Sequence, residues 1–295
     1  MKNKTTYNEQ QTDPWSDFEK VKKHLEIPYA KTKAEVWAEM ESKLVALPIA
    51  QKTNLFARTY FRLAVAALLV LMLGIAGLIR FYTVTVETLP GQHQLVDLPD
   101  GSMIHLNAGS FLKYHPYSWR FSRTLSFQGE GFFEVAKGTP FMVLSENGKT
   151  RVVGTSFTIY SRDEFYRVAC LTGKVSVTDD KNRHEVLLEP NQKAELNRNG
   201  EFDIQQNINL TTATAWIDNK FVFTSAPFTE VLNEIERQYD VTILWKKEMD
   251  LSYKYTGNFN RDQSIEQVLG FVCRPFGIQF EKIKANEFLL KKTGN

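Results

Sequence analysis

The chain has 295 residues, enough for about two domains with an accessory segment. Apolar residues make up 43% and charged residues 24%, with a formal net charge of +2, so bulk disorder and a basic nucleic-acid-binding coat are both disfavoured. Two cysteines exclude a disulfide scaffold, and no Cys/His spacing suits zinc, so neither metal nor cofactor is expected.

The first 60 residues predict two short amphipathic helices. Asp13 followed by Pro14 is an N-cap with Pro at the first helical position. Trp15, Phe18, Val21 and Leu25 then fall on one face, and Pro28 closes the helix. Thr32 with Glu35 forms a capping box for a second helix, whose apolar side carries Val36, Trp37, Met40, Leu44 and Leu47. Helices this short cannot bury much against each other, so the stripes point either to the inner leaflet of a membrane or to a protein partner anchored by the large side chains.

Leu63–Ile79 contains no charged or strongly polar side chain. As a helix it is about 26 Å long, and its flanks supply the rest of a bilayer core: Tyr60 and Phe61 on one side, Phe81 and Tyr82 on the other, with Arg62 and Arg80 placed to snorkel. The segment at 61–82 is therefore expected to span a membrane. It lies too far from Met1 for a cleaved leader. Lys43, Lys52, Arg58 and Arg62 precede it and only Arg80 follows closely, which places residues 1–60 in the cytoplasm and 83–295 outside. In a bacterium this means an inner-membrane protein with a periplasmic bulk. Cys170 and Cys273 are expected to be separate buried thiols in different domains.

From Thr83 to about Leu210 the period changes to two. Twelve short strands at roughly ten-residue spacing, with turns at Asp100-Gly101, Thr172-Gly173-Lys174, Asp179-Asp180 and Asn199-Gly200, predict an all-β sandwich over 83–210. His93, His105 and His115 have no partner at metal-ligand spacing, and Glu130 and Glu134 stand about 13 Å apart along one strand, too far for a glycosidase pair. No nucleophile, zinc-protease or phosphate-loop motif is present, so an ordinary enzyme is not expected.

Beyond Leu210 a β-α-β pattern begins. Phe221–Phe223 reads as a strand, Phe228, Val231, Leu232, Ile235 and Tyr239 as one helix face, and Val241–Trp245 as a strand. Ile265, Val268, Leu269, Val272, Phe276, Ile278 and Phe280 repeat the pattern 37 residues later, with Ser264 and Gln267 capping the second helix. Residues 211–295 are expected to form a small α+β domain of two β-α-β halves, one sheet against two helices, able to fold alone.

The middle region resembles the periplasmic domain of the FecR family of membrane-spanning anti-sigma regulators. The resemblance is carried by Leu98-Pro99-Asp100-Gly101-Ser102, Leu106-Asn107-Ala108-Gly109-Ser110, Arg123, Gly129-Glu130-Gly131-Phe132-Phe133-Glu134-Val135-Ala136, Pro140-Phe141-Met142-Val143, Val153-Gly154-Thr155-Ser156-Phe157 and Gly173-Lys174-Val175. Members often end in a domain similar to the secretin and TonB short N-terminal domain, whose landmarks Trp216, Phe223, Pro227 and Tyr239 match. The resemblance implies a sigma regulator, not an enzyme. Its cytoplasmic segment would hold an extracytoplasmic-function (ECF) sigma factor, and its periplasmic part would receive a signal from the signalling domain of an outer-membrane TonB-dependent transporter, with no direct contact to nucleic acid. The competing possibility is a membrane-anchored periplasmic binding or scaffold protein without sigma control. Some relatives cut their own chain at a Gly-Thr step, which corresponds here to Gly154-Thr155; otherwise Gly154 simply permits a bend before a strand.

Overall fold

The computed structural model describes residues 21–22, 30–45, 55–181 and 183–292. Trp15, Phe18, Leu25 and Leu47 of the two expected stripes lie outside them. The second amphipathic helix is present as α1 (Lys33–Val45). Its capping box is formed: the Thr32 N–H donates to Glu35 Oε2 at 2.7 Å, and the Glu35 N–H donates to Thr32 Oγ1 at 3.4 Å.

The apolar segment lies in α2 (Leu55–Phe81), 27 residues long and about 40 Å from end to end. The helix starts earlier than the expected boundary at 61, because Leu55 to Arg62 contains no helix breaker. Its stretch from Arg58 to Phe81 has a mean hydropathy of 2.4, with none of it buried. Among the described residues it is one helix long and apolar enough to cross a membrane.

A β domain follows, with strands β1 (Val84–Glu87), β2 (Gln94–Asp97), β3 (Met103–Leu106), β4 (Phe111–Tyr114), β5 (Arg123–Glu134), β6 (Phe141–Ser145), β7 (Gly148–Val152), β8 (Ser156–Arg162), β9 (Phe165–Cys170), β10 (Val175–Asp179), β11 (Glu185–Leu188), β12 (Gln192–Leu196) and β13 (Phe202–Gln205). The twelve expected strands differ from these in two ways. The segments around Arg123 and Phe132 form one long strand, and β7 and β13 are additional. β7 escapes the alternation test because its buried face is Gly148, Thr150 and Val152; the Thr150 hydroxyl is satisfied by Tyr166 Oη at 2.7 Å.

β5 organises the domain. Its first half, up to Gln128, pairs with β4 and β6; its second half, from Gly129, pairs with β3 and β8. Two sheets thus share one strand: β1-β4-β5-β6-β7-β10-β11 and β2-β3-β5-β8-β9-β12-β13. Gly129 sits at the transfer point with φ +114°, where a Cβ would lie 2.6 Å from Ser110 Cα, so only glycine fits. The sheets enclose a single core in which Phe133 and Phe157 are fully buried and stacked, with ring centroids 5.0 Å apart.

The C-terminal part comprises α3 (Leu210–Thr214), β14 (Lys220–Pro227), α4 (Phe228–Tyr239), β15 (Thr242–Leu244), β16 (Lys254–Asn260), α5 (Ile265–Cys273), β17 (Ile278–Lys284) and β18 (Glu287–Lys292). The repeat is real: β14-α4-β15 and β16-α5-β17 are its halves. They do not share one sheet, however. β14 pairs antiparallel with β16, while β18 sits between β15 and β17 in a second small sheet. The hairpin β17–β18 occupies the edge of β17, which leaves β15 to pair with β18. Phe228, Val231, Leu232, Ile235, Val268, Leu269 and Val272 fill a core of their own. The Ser264–Gln267 capping box is complete. Cys170 and Cys273 are both free and buried, one in each core. Burial pushes their thiols up to about 11 and about 12.

Candidate functional site

The stripe of α1 faces solvent. Trp37, Met40 and Leu44 are 61%, 53% and 65% exposed. They recur at i, i+3 and i+7 and therefore line one side of the helix, with Val36 half-buried beside them. Glu39 draws in Lys31 and Lys43 at 2.6 and 3.0 Å, which keeps charge off that side. Val21, on the first expected helix, is also exposed. Isolated helices of this length are marginal in water, so a partner surface that covers the stripe would also stabilise the helix.

Gly154-Thr155 follows β7. Gly154 has φ +141°, and a Cβ there would lie 2.8 Å from Lys137 Cα. The Thr155 side chain is buried, and its hydroxyl donates to the Lys174 carbonyl at 3.2 Å. A carbonyl oxygen orients a hydroxyl without removing its proton, so this contact supplies no general base.

Sequence reasoning missed a third feature, the junction between the β domain and the C-terminal domain. Arg167 on β9 pairs with Glu230 on α4 through two bonds of 2.5 and 2.7 Å and also reaches Glu195 on β12 at 2.9 Å. Gln238, buried on α4, donates to Asn107 Oδ1 and to Glu234 Oε1, both at 2.7 Å, and its carbonyl oxygen meets His93 Nε2 at 3.1 Å. Asn107 in turn donates to Glu130 Oε2 at 2.7 Å. Backbone links add to this: the Gly91 N–H donates to the Arg237 carbonyl at 2.7 Å, and Arg261 donates to the Gly91 carbonyl. The Arg162 guanidinium holds the Ala108 and Gly109 carbonyls at 2.7 and 2.8 Å.

The two carboxyls in this network behave differently. Burial, reinforced by repulsion from Glu234, pushes Glu130 up to about 7 despite Arg162 and Arg237. Burial also works against ionisation of Glu234, but Arg237 and Arg162 outweigh it and hold that carboxyl below its ordinary range. Beside the network opens a cavity of about 590 Å³, lined by Glu130, Tyr160, Arg167, Glu195 and the whole of β14. β14 has a strand partner on one edge only, among the described residues. A signal for this junction exists in the sequence: Glu234 and Gln238 border Ile235 on the apolar side of α4, where a purely solvated face would not place them.

Two family models match the chain. "FecR protein" matches residues 84–176 and "FecR, C-terminal" matches residues 220–290. Two crystal structures of a putative anti-sigma factor from Parabacteroides distasonis are similar to it, at 28% and 29% identity with TM-scores of 0.67 and 0.66. Each comparison covers 72% of this chain and the whole of the other. No curated protein matches the chain.

Proposed function

The chain belongs to the FecR family, and from that premise we propose that it is a single-pass inner-membrane anti-sigma factor that relays a signal from an outer-membrane TonB-dependent transporter to a cytoplasmic ECF sigma factor. The observation that carries this reading is the exposed Trp37/Met40/Leu44 stripe, on a helix that precedes the apolar span in a chain whose two family-matched regions both follow it. In this reading residues 1–60 hold the sigma factor, with Trp15, Phe18, Val21, Leu25, Val36, Trp37, Met40 and Leu44 as anchors. The excess of basic residues before the span supports a cytoplasmic N-terminus and a periplasmic bulk.

On the periplasmic side the signalling domain of the transporter would dock by sheet-edge pairing. The free edge of β14 and the cavity beside it support that choice, because backbone pairing needs no special side chain. Relay then requires two arrangements of the chain with different affinity for the sigma factor.

Two measurements test this. A reporter active only in the cytoplasm should be on when fused after Lys52 and off when fused after Asn295; the reverse result ends the account. A promoter served by the partner sigma factor should respond when the full chain is introduced. Correct topology with an unresponsive promoter, and no sigma factor bound to the purified chain, would leave the periplasmic scaffold as the better description.

A further inference from the structure

We propose that residues 116–122 form a second membrane contact, with Tyr117 and Phe121 seated in the lipid interface at the outer end of α2 and Arg120 among the headgroup phosphates. The proposal rests on the reading of α2 as a membrane span.

The register of the first sheet places this turn. α2 ends at Phe81, and β1 begins three residues later at Val84. Val84 pairs with Tyr114, the last residue of β4. Chain that continues past Tyr114 must therefore emerge at the level of the residues that join β1 to the helix. Two contacts show that it does. The Tyr82 and Tyr117 ring centroids lie 5.4 Å apart, and His115 Nδ1 meets the Tyr82 carbonyl at 3.2 Å. Tyr82 itself is still bonded to the helix through Leu78, at 2.9 Å.

The turn is rigid and has two sides. Its N–H groups close back on it: Trp119 to the Pro116 carbonyl, Phe121 and Ser122 to the Ser118 carbonyl at 2.9 and 3.0 Å. Trp119 points inward, 2% exposed, with its indole edge-on to Tyr114 and Phe141. Tyr117 and Phe121 are the large apolar side chains that this turn leaves open. They are 61% and 88% exposed, and Arg120 is exposed with them. A ring as open as Phe121, on a turn clamped by a buried Trp, has no use in water. Aromatic rings with a nearby Arg are what a bilayer interface stabilises, and Phe81, Tyr82 and Arg80 already furnish that belt next door. The contact would fix the β domain against the bilayer instead of leaving it on a swivel.

The test uses the full chain in vesicles of phosphatidylethanolamine and phosphatidylglycerol. A nitroxide is attached at Phe121→Cys, at Leu71→Cys in the span, or at Phe271→Cys on α5. The C-terminal domain packs near Gly91 and Gly109, at the opposite end of β1 and β4, so Phe271 reports water. Native Cys170 and Cys273 are buried and do not compete for the label. Collision with a water-soluble nickel chelate should be suppressed at position 121 by about tenfold relative to 271, the occupancy that burial of one aromatic ring sustains. Site 121 as open to nickel as 271, with 71 shielded, would overturn the proposal alone and turn the aromatic pair toward solvent or a protein. Site 71 open to nickel would remove the span and the proposal together.

Discussion

Arg167 of the β domain and Glu230, in the first turn of α4, grip each other through two parallel N–H···O bonds of 2.5 and 2.7 Å while only 19% and 11% exposed. The Arg167 guanidinium also lies over the Tyr160 and Phe165 rings, at 4.8 and 4.9 Å from their centroids. The pair joins two domains that each have their own core. Removing one member leaves the other charge largely desolvated, at a cost of about 3 kcal/mol, the lower end for a buried pair because neither side chain is fully sealed. Arg167→Met should therefore lower the thermal midpoint of the full chain and separate the C-terminal transition from that of the β domain. A single transition at the parental temperature would show that the pair contributes nothing. Excised, residues 211–295 would lose the Arg167 and Asn107 contacts of Glu230 and Gln238 while Glu234 keeps Arg237 and Gln238, so the proposed binding to a transporter signalling domain is best measured on 211–295 and 83–295 side by side.

How far the sequence discloses this architecture depends on which residues face inward. Strands with an apolar buried face, such as β8 and β10, are plain from alternation. β7 is not, because Gly148 and Thr150 stand where apolar side chains would be looked for. The helical repeat is visible because α4 and α5 each bury an apolar stripe, yet the pairing of their strands is not, since β18 competes for an edge and periodicity carries no information about neighbours. The junction is hardest of all. Arg162, Arg167 and Glu130 are residue types that ordinarily mark solvated faces, and each meets its partners only through folding: Arg162 the Ala108 and Gly109 carbonyls, Glu130 the Asn107 amide, and Arg167 Glu230 of the other domain. The anchors on α1 are legible as a stripe, and no described residue covers them.

The Glu130 carboxyl provides a pH test. Its folded-state value of about 7 lies above the ordinary 4.5, so the folded chain holds a proton that the unfolded chain has released. Between these two values stability must fall as pH rises, and it levels off above the folded value. Arg162 and Arg237 keep Glu234 ionised, so the proton resides on Glu130. Glu130→Gln retains an oxygen for the Asn107 amide and deletes the charge. The variant should lose the decline between pH 5 and 7.5 and exceed the parent by about 1–2 kcal/mol at pH 8, less than the full shift implies because the side chain keeps some contact with water. Denaturant midpoints at several pH values measure this; parallel curves for parent and variant would contradict it.

For the sigma contact, Trp37→Ala and Met40→Ala remove side chains that are 61% and 53% exposed and so lie outside any core of the described residues. Folding stability should change little. Affinity of the full chain for its sigma factor should drop about thirtyfold for Trp37→Ala, corresponding to about 2 kcal/mol, and less for Met40→Ala. Titration by calorimetry separates the two effects. Unchanged affinity for both variants would assign the stripe to the inner leaflet.

At Gly154-Thr155 the backbone explains the glycine without any chemistry. With φ +141° and a Cβ only 2.8 Å from Lys137 Cα, Gly154→Ala should cost about 1–3 kcal/mol through strain and displacement of the neighbouring loop. Thr155 is held by burial and by the Lys174 carbonyl, and beneath it Gly173 leaves room, since a Cβ there would lie 2.8 Å from Thr155 Oγ1. Attack of the hydroxyl on the Gly154 carbonyl needs its proton removed, and a carbonyl partner does not do that. Purified chain should accordingly run as a single band after long incubation. Thr155→Ala should leave the band pattern unchanged, while Gly154→Ala lowers the thermal midpoint. Two fragments that split between Gly154 and Thr155, and that disappear in Thr155→Ala, would reverse this assignment and make the bend a strained peptide poised for an N-to-O acyl shift.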